Sequence, residues 1–537
     1  MTELFKASLR AVTWPHREKP FERGGAFRPI GQDGKLRQLA VRGAGARVLS
    51  QGLALGLQMI GTVVLARLLT PSDFGVVAMV TTFSLLLMSF GLNGFTEAMI
   101  QWDDLDHSTA SNLFWITMAG GVLLTVGFAG MGSLLARFYH NALVANITIV
   151  LAPTILISCA SYPHLALLKR AMRFPALSAN DVIARGAWVA VSVVLAFRGW
   201  GYWALVAGLI AQPLSTAIGA WWLCDWMPSL PKRTARTGSM VRFAFIVYAR
   251  YGIRYGARNL DKLLVGWRFN AAALGFYKKA YDLFALAANQ SVAPIEDVAL
   301  ATLSRLKRDL AKYKRYLMNG MAVIAFGGMG LSLVLTLTGP EIIRVVLGPG
   351  WEESGRIFVF LGPGIGMMLL HGVHSWIHLS IGRPDRWIRW TVAEFVVTAG
   401  LLFAALPWGP EGIAAAWSVA FWVLTLPAIW YAGRPIRLGF RPMIGAIWKF
   451  IAAAVLAGGA AFPIVRELPS FAAIPGAAAA LARIVIISGI AGAFYLGFII
   501  LLHRGCAPLY QFAGVLKEML PRRKEAPAEA ALVTQAR

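Results

Sequence analysis

The chain has 537 residues, 57% of them hydrophobic and only 14% charged, against about a quarter charged in ordinary soluble domains. That balance excludes a soluble globular protein and implies a polytopic membrane protein. The net charge of +25 falls in short clusters between apolar runs, not on one domain, which argues against nucleic acid as a partner.

Residues 1–47 carry ten Lys or Arg and no apolar core of signal-peptide length, so they read as a basic cytoplasmic leader that is neither cleaved nor exported. Beyond it, runs of about 20 mostly apolar residues, the length a helix needs to cross the hydrocarbon, recur fourteen times. They lie near 48–68, 74–99, 112–136, 142–163, 182–198, 201–224, 241–266, 274–299, 316–338, 357–381, 387–406, 411–432, 446–465 and 480–502. The expected fold is all-α, a polytopic membrane protein of about 14 transmembrane helices. Loops after even-numbered spans hold the basic clusters, such as Lys169, Arg170 and Arg173, then Lys232, Arg233 and Arg236, then Arg383, Arg386 and Arg389. Loops after odd-numbered spans hold one or two, such as Arg137, Arg198, Arg268 and Arg466. By the positive-inside rule both termini face the cytoplasm.

In chain order, the loop after span two, QWDDLDHSTA, is acidic although it belongs inside. Its Asp-Leu-Asp matches the metal-binding pattern of sugar-nucleotide transferases, but about ten residues leave no room for a nucleotide domain. The plainer reading is a solvated loop whose Ser108 or Thr109 caps the next helix. No Gly-rich phosphate loop, nucleophile elbow or HExxH occurs, and the longest outer segment, Gly339 to Arg356 with Glu341, Glu352 and Glu353, is too short for a catalytic domain. Cys159, Cys224 and Cys506 lie too far apart for a disulfide framework or a metal knuckle. No metal site and no cofactor is expected.

Two stretches look alike: LARLLTPSDFGVVAMVTTF from Leu65, and DKLLVGWRFNAAALGFYKKAYDLF from Asp261. Each ends an apolar span with a charge and Leu-Leu, turns, and restarts at a glycine, Gly75 or Gly275, with six spans from the first to the seventh. Halves so related share one orientation, the parallel-repeat plan of transporters whose site lies at the interface of the halves. At these residues the chain resembles the Wzx-type lipid-linked oligosaccharide (polysaccharide repeat-unit) flippases of the MATE/oligosaccharidyl-lipid/polysaccharide exporter superfamily. Arg67, Pro71 and Gly75 carry the first motif; Asp261, Gly275 and Tyr277 carry its counterpart.

The resemblance implies two six-helix lobes around a central cavity plus two extra helices, divided as an N-lobe over 48–224, an inter-lobe linker over 225–240, a C-lobe over 241–432, two appended spans over 433–502 and a cytoplasmic tail over 503–537. It implies a bacterial inner-membrane flippase that moves an undecaprenyl-pyrophosphate-linked oligosaccharide to the outer leaflet by alternating access, with no enzymatic step. The partners implied are membrane lipids, the lipid-linked glycan and the polysaccharide polymerase machinery, with coupling to proton, sodium or membrane potential left open. The long leader and the acidic second loop depart from the family's pattern.

The residues themselves point to a cationic chamber. Arg250, Arg254, Arg258 and Asp261 fall within about 80° of arc on one helix and rise over about 16 Å, bordered by Tyr251, Tyr255 and Lys262. The small residues Gly252 and Gly256 lie opposite, where another helix can approach. Each arginine costs about 2.5–3.5 kcal/mol at the centre of a span. The stripe must therefore face water, an anion or paired acids; Asp261 can serve Arg258, and Glu97, Glu296, Asp297 or Glu394 are the acids that would otherwise hold the arginines in a bundle. A hydrated cavity suits guanidinium, which binds phosphate with two parallel hydrogen bonds. Gln51 and Gln58 on span one, and Asn93 and Glu97 on span two, share faces that fit either a cavity or interhelical contact. His371, His374 and His378 share a face of span ten without a carboxylate beside them in sequence, leaving packing, glycan or phosphate contact, and proton coupling as readings. Rival functions are a multidrug or cation antiporter of the same superfamily, which calls for carboxylates at mid-depth, and an integral-membrane polysaccharide polymerase or ligase, which calls for a large outer loop.

Overall fold

The computed structural model describes residues 20–22, 25–27, 35–102, 105–232, 237–467, 476–510, 512 and 514; within its helices the side chains of 35–42, 44, 91, 93, 237, 288–298, 384, 476 and 477 are outside the description. Among the described residues the chain is helical throughout, with only two isolated β-bridges. The helices in order are α1 (Lys35–Leu68), α2 (Pro71–Phe90), α3 (Thr96–Gln101), α4 (His107–Gly130), α5 (Gly132–Phe138), α6 (Leu143–Leu151), α7 (Pro153–Arg170), α8 (Phe174–Phe197) and α9 (Tyr202–Leu223). They continue with α10 (Thr237–Arg268), α11 (Ala271–Leu306), α12 (Leu310–Val346), α13 (Glu352–Leu361), α14 (Ile365–His371), α15 (Val373–Ser380), α16 (Pro384–Ala405), α17 (Gly409–Gly433), α18 (Phe440–Glu467) and α19 (Gly476–His503).

Eleven helical stretches are long and apolar enough to cross a membrane, the longest of which, Asp385–Ile436, contains both α16 and α17. The other two expected spans, α10 and α11, are 32 and 36 residues long but fall short of that apolarity, α10 because of its arginines. Every expected span thus has a helical counterpart.

Contacts divide the chain into two compact units. The first comprises Met1–Leu283, Ile342–Phe358 and Phe395–Trp417; the second comprises Phe284–Glu341, Val359–Glu394 and Ser418–Arg537.

Span two is not one continuous α-helix. A π-turn, Gly91–Phe95, separates α2 from α3, and an extra residue per turn there breaks the α-register. Asn93 lies in that π-turn and Glu97 in the first turn of α3. Gly94 allows this, with φ of +140° and a backbone so close to the Ala244 carbonyl of α10 that a side chain would overlap it. At the end of span two, Arg170 donates to the carbonyls of Met99, Ile100 and Trp102, satisfying acceptors that the last turn of α3 leaves open.

In the acidic loop the capping residue is Asp106, not Ser108 or Thr109. Its carboxylate accepts from the Thr109 amide at 2.9 Å and from the Ser108 hydroxyl at 2.8 Å. Burial pushes this carboxyl upward, but those hydrogen bonds outweigh it and hold the pKa below the usual carboxylate range. The two features that depart from the family's pattern meet here. Gly25 of the leader accepts from the His107 amide at 2.8 Å, and Phe21 is buried against Phe27, His107 and Trp226.

The second unit contains a broken span. Gly362–Gly364 interrupts α13 and α14 with a 3₁₀ turn, because Pro363 lacks the amide that a helix would use. Side chains take up the released carbonyls: Ser332 donates to Gly362 at 2.7 Å, Ser418 to Phe360 and Leu361, and Trp422 to Pro363 at 3.0 Å.

Candidate functional site

The site is built around the repeated hairpin. Thr70 and Asn270, 200 residues apart, cap α2 and α11: the Thr70 hydroxyl accepts from the Asp73 amide at 3.3 Å while Asp73 accepts from the Thr70 amide at 2.9 Å, and Asn270 accepts from the Ala273 amide at 2.8 Å. The first is a reciprocal capping box. One turn further, the helices cross glycine to glycine. A Cβ on Gly75 would overlap the Ala271 carbonyl, and a Cβ on Gly275 would overlap the Pro71 carbonyl. Pro71 and Ala271 are themselves equivalent positions, so the contact is reciprocal, as a two-fold relation between repeats requires.

One tryptophan serves both hairpins. Trp351, 1% exposed, packs its ring against Phe74 and Phe276 at 5.5 and 5.9 Å and donates to the Ala66 carbonyl at 2.9 Å. Arg67 donates to the Val345 carbonyl at 3.2 Å. The outer segment expected over Gly339–Arg356 is mostly helical, leaving only 347–351 between α12 and α13. Its carboxylates are engaged: Glu341 with Arg483 at 3.0 Å, Glu353 with Arg356 at 3.0 Å, and Glu352 with the Gly350 amide at 3.2 Å.

Asp261 is fully buried and does not pair with Arg258. Its Oδ2 accepts from the Tyr277 hydroxyl at 2.8 Å and from Trp417 Nε1 at 2.9 Å, tying α10 to α11 and α17. Burial explains the choice, since a carboxylate that cannot reach water takes the nearest fixed donors. Lys262, expected to border the stripe, turns to Asn259 Oδ1 at 2.9 Å and lies over the Tyr281 ring at 4.1 Å.

Arg250, Arg254 and Arg258 are all exposed along α10. Among the described residues, neither Arg250 nor Arg258 is ion-paired with a carboxylate. Of the acids named as alternative partners, Glu97 interacts electrostatically with Lys169, Glu394 bonds His371, and the side chains of Glu296 and Asp297 lie outside the described residues. The helix is held by its tyrosines. Tyr248 and Tyr255 donate to the carbonyls of Leu86 and Thr82 on α2 at 3.2 and 3.0 Å, and Tyr251 lies 3.2 Å from the Ser89 hydroxyl. Of the glycines expected to receive another helix, a Cβ on Gly252 would meet Leu86 of α2 at 3.8 Å, and one on Gly256 would meet no atom of the described residues within 4 Å. Tyrosine hydroxyls find backbone acceptors at a distance that glycine packing cannot supply.

On span one, Gln51 and Gln58 are exposed, and Gln58 accepts from Arg185 of α8 at 3.2 Å. Arg185 also pairs with Asp181 at 3.3 Å. This pair was missed by sequence reasoning although two opposite charges four apart inside an apolar run are a visible signal. The side chain of Asn93 lies outside the described residues.

In the second unit, span ten brings His371, His374 and His378 to one face, all buried. The carboxylate they lack in sequence comes from the next span: Glu394 of α16 lies 3.1 Å from His371 Nε2. His378 sits beside Tyr431, over whose ring Arg386 stacks at 4.3 Å. A pairing across two helices is invisible to a spacing argument confined to one.

Residues 64–356, more than half of the chain, match the family described as Polysaccharide biosynthesis protein. The succinoglycan biosynthesis transport protein ExoT of Rhizobium meliloti (strain 1021) is 22% identical over 360 residues, 67% of this chain and 73% of that one. The teichuronic acid biosynthesis protein TuaB of Bacillus subtilis (strain 168) is 24% identical over 374 residues, 69% and 76% of the two chains. Among solved structures, the lipid II flippase MurJ in an inward closed conformation superposes with a TM-score of 0.68 at 11% identity, covering 86% of this chain and 99% of that one. An inward-facing multidrug resistance MATE family transporter of the MOP superfamily superposes at 0.58 with 12% identity, covering 71% and 94%. Identities this low speak to the fold alone.

Proposed function

The chain belongs to the polysaccharide biosynthesis protein family, and from that premise we propose that it is a multi-pass inner-membrane flippase for an undecaprenyl-pyrophosphate-linked oligosaccharide destined for surface polysaccharide. The observation that carries the reading is the exposed row Arg250, Arg254 and Arg258 on a helix long enough to span the bilayer. Three guanidinium groups in hydrocarbon are costly, and they become favourable where water and an anionic head group reach them. The names of the relatives, a succinoglycan transport protein and a teichuronic acid biosynthesis protein, support a polysaccharide substrate.

In this mechanism the arginines draw the pyrophosphate or acidic sugars out of the leaflet while the polyprenyl tail stays in lipid. Lobes 48–224 and 241–432 rock, and the reciprocal contact of Gly75 with Gly275 parts to release the head group. Both termini stay in the cytoplasm, and polymerase machinery takes the product outside. No covalent step is assigned: the outer segment is short and its carboxylates are engaged in structure. A multidrug resistance MATE family transporter shares this fold, but a row of arginines has the wrong sign for a cationic drug.

Reconstitution with a fluorescent lipid-linked oligosaccharide tests the reading, scoring head-group exposure at the outer face with imposed proton, sodium or potential gradients. Native protein is expected to flip it and the Arg250→Ala, Arg254→Ala, Arg258→Ala triple variant to fail. Equal flipping by a correctly inserted triple variant overturns the role of the row.

A further inference from the structure

The histidines of span ten and Glu394 form a cluster that the flippase reading does not use. His371 and His374 are 8% and 6% exposed, and Glu394 is partly buried one span away. One donor atom from each of the three lies within 4.8 Å of the others.

The hydrogen bonds around the rings decide which nitrogens are available. His374 Nδ1 contacts the backbone carbonyl of His371, and a carbonyl only accepts, so that nitrogen carries the proton. The Thr425 hydroxyl donates to the Phe421 carbonyl at 2.6 Å, which leaves its oxygen to accept from His371 Nδ1 at 3.4 Å. With the His374 Nδ1 proton held by the carbonyl, its Nε2 presents a lone pair, while His371 Nε2, 3.1 Å from Glu394 Oε1, either shares a proton with that carboxylate or presents a lone pair to a cation. With a cation in place of that proton, two imidazole nitrogens and a carboxylate oxygen converge as its ligands. A ring N–H tied to a carbonyl or hydroxyl is the outer-shell pattern of metal-binding histidines.

We propose that His371, His374 and Glu394 bind a divalent late first-row cation of the zinc class. Two imidazoles and one carboxylate form an open three-ligand set whose fourth position is left to water, and nitrogen and oxygen donors suit zinc, nickel and copper above magnesium or calcium. Ligand bonds of about 2.0–2.2 Å are reached by side-chain rotation drawing the donors in by about an ångström. The bound ion ties α14 and α15 to α16. A proton shared between His371 and Glu394 is the competing occupant, and it fills the same gap without a metal.

The test uses the full-length chain without a histidine tag, purified in detergent, with zinc affinity measured by competition against a chromophoric chelator. Native protein is expected to bind one zinc, to give a tetrahedral absorption band with cobalt, and to melt higher with zinc present. His371→Ala, His374→Ala and Glu394→Gln are each expected to bind at least about tenfold more weakly and to lose the zinc-dependent rise, while His140→Ala, at an exposed histidine elsewhere, matches native. Each variant's melting without zinc reports its folding. Zinc binding that survives in the His371→Ala, His374→Ala double variant, or its absence from native protein, overturns the site. Because occupancy is read and not flipping, the result is independent of the transport reading.

Discussion

Replacing Gly75 by alanine adds a methyl group where the Ala271 carbonyl already stands, and Gly275→Ala does the same against Pro71. Neither neighbour can give way, because both are backbone. Carbon and oxygen settle near 3.5 Å, so α2 and α11 must separate by about 2 Å at the crossing. Overpacking of this kind costs about 1–3 kcal/mol, and if the contact is one closed arrangement of a two-state element, that cost shifts the equilibrium away from it by roughly 5- to 150-fold. Spin labels at Ser72 and Ala272, equivalent positions at the starts of the two helices, read the separation by double electron–electron resonance. Native protein is expected to show a dominant short distance, and either alanine variant a longer one. The two substitutions act on one crossing, so the double variant should cost less than the sum of the singles, because the first already parts the helices. Strict additivity, or an unchanged short distance in Gly75→Ala, refutes the reciprocal contact.

Asp261→Ala leaves the Tyr277 hydroxyl and Trp417 indole without their acceptor at about 1–3 kcal/mol for each buried donor, so its melting temperature in detergent should fall further than that of Tyr277→Phe, which removes one donor only. Equal losses contradict the shared carboxylate. Asp106→Ala should cost about 1 kcal/mol as a lost helix cap. The carboxyl's folded pKa is lowered, so its contribution is fully present above the unfolded value near 3.9 and is lost as pH falls through the lower folded value. Melting of native protein and of Asp106→Asn, a cap that does not titrate, should therefore diverge below about pH 4; parallel curves sink the assignment.

Much of the fold was legible because bilayer thickness and the distribution of Lys and Arg constrain spans independently of tertiary contacts. The charged α10 was recoverable only from the alternation of loops, since its arginines defeat an apolarity criterion. The repeat was also legible: Gly75 and Gly275 mark it in sequence and touch in the structure. Partners were not. Spacing along one helix matches Asp261 to Arg258, whereas the structure gives it Tyr277 and Trp417 from two others, and His371 finds Glu394 across a span boundary. The π-turn at 91–95 was hidden because register shifts leave no periodic trace in an apolar run. The cap at Asp106 is marked in sequence only by its place immediately before His107, and the charge of the acidic loop does not single it out.

Single cysteines at 250, 254 and 258, in a chain with Cys159, Cys224 and Cys506 replaced, test whether the arginine row faces water and meets the head group. Membrane vesicles are treated with a water-soluble thiol reagent, with and without the pyrophosphate-linked oligosaccharide lipid. The account predicts labelling at all three positions and protection by the lipid that is stronger when the two remaining arginines are intact. Cysteines that resist the reagent from both faces, or label equally with lipid present, contradict it.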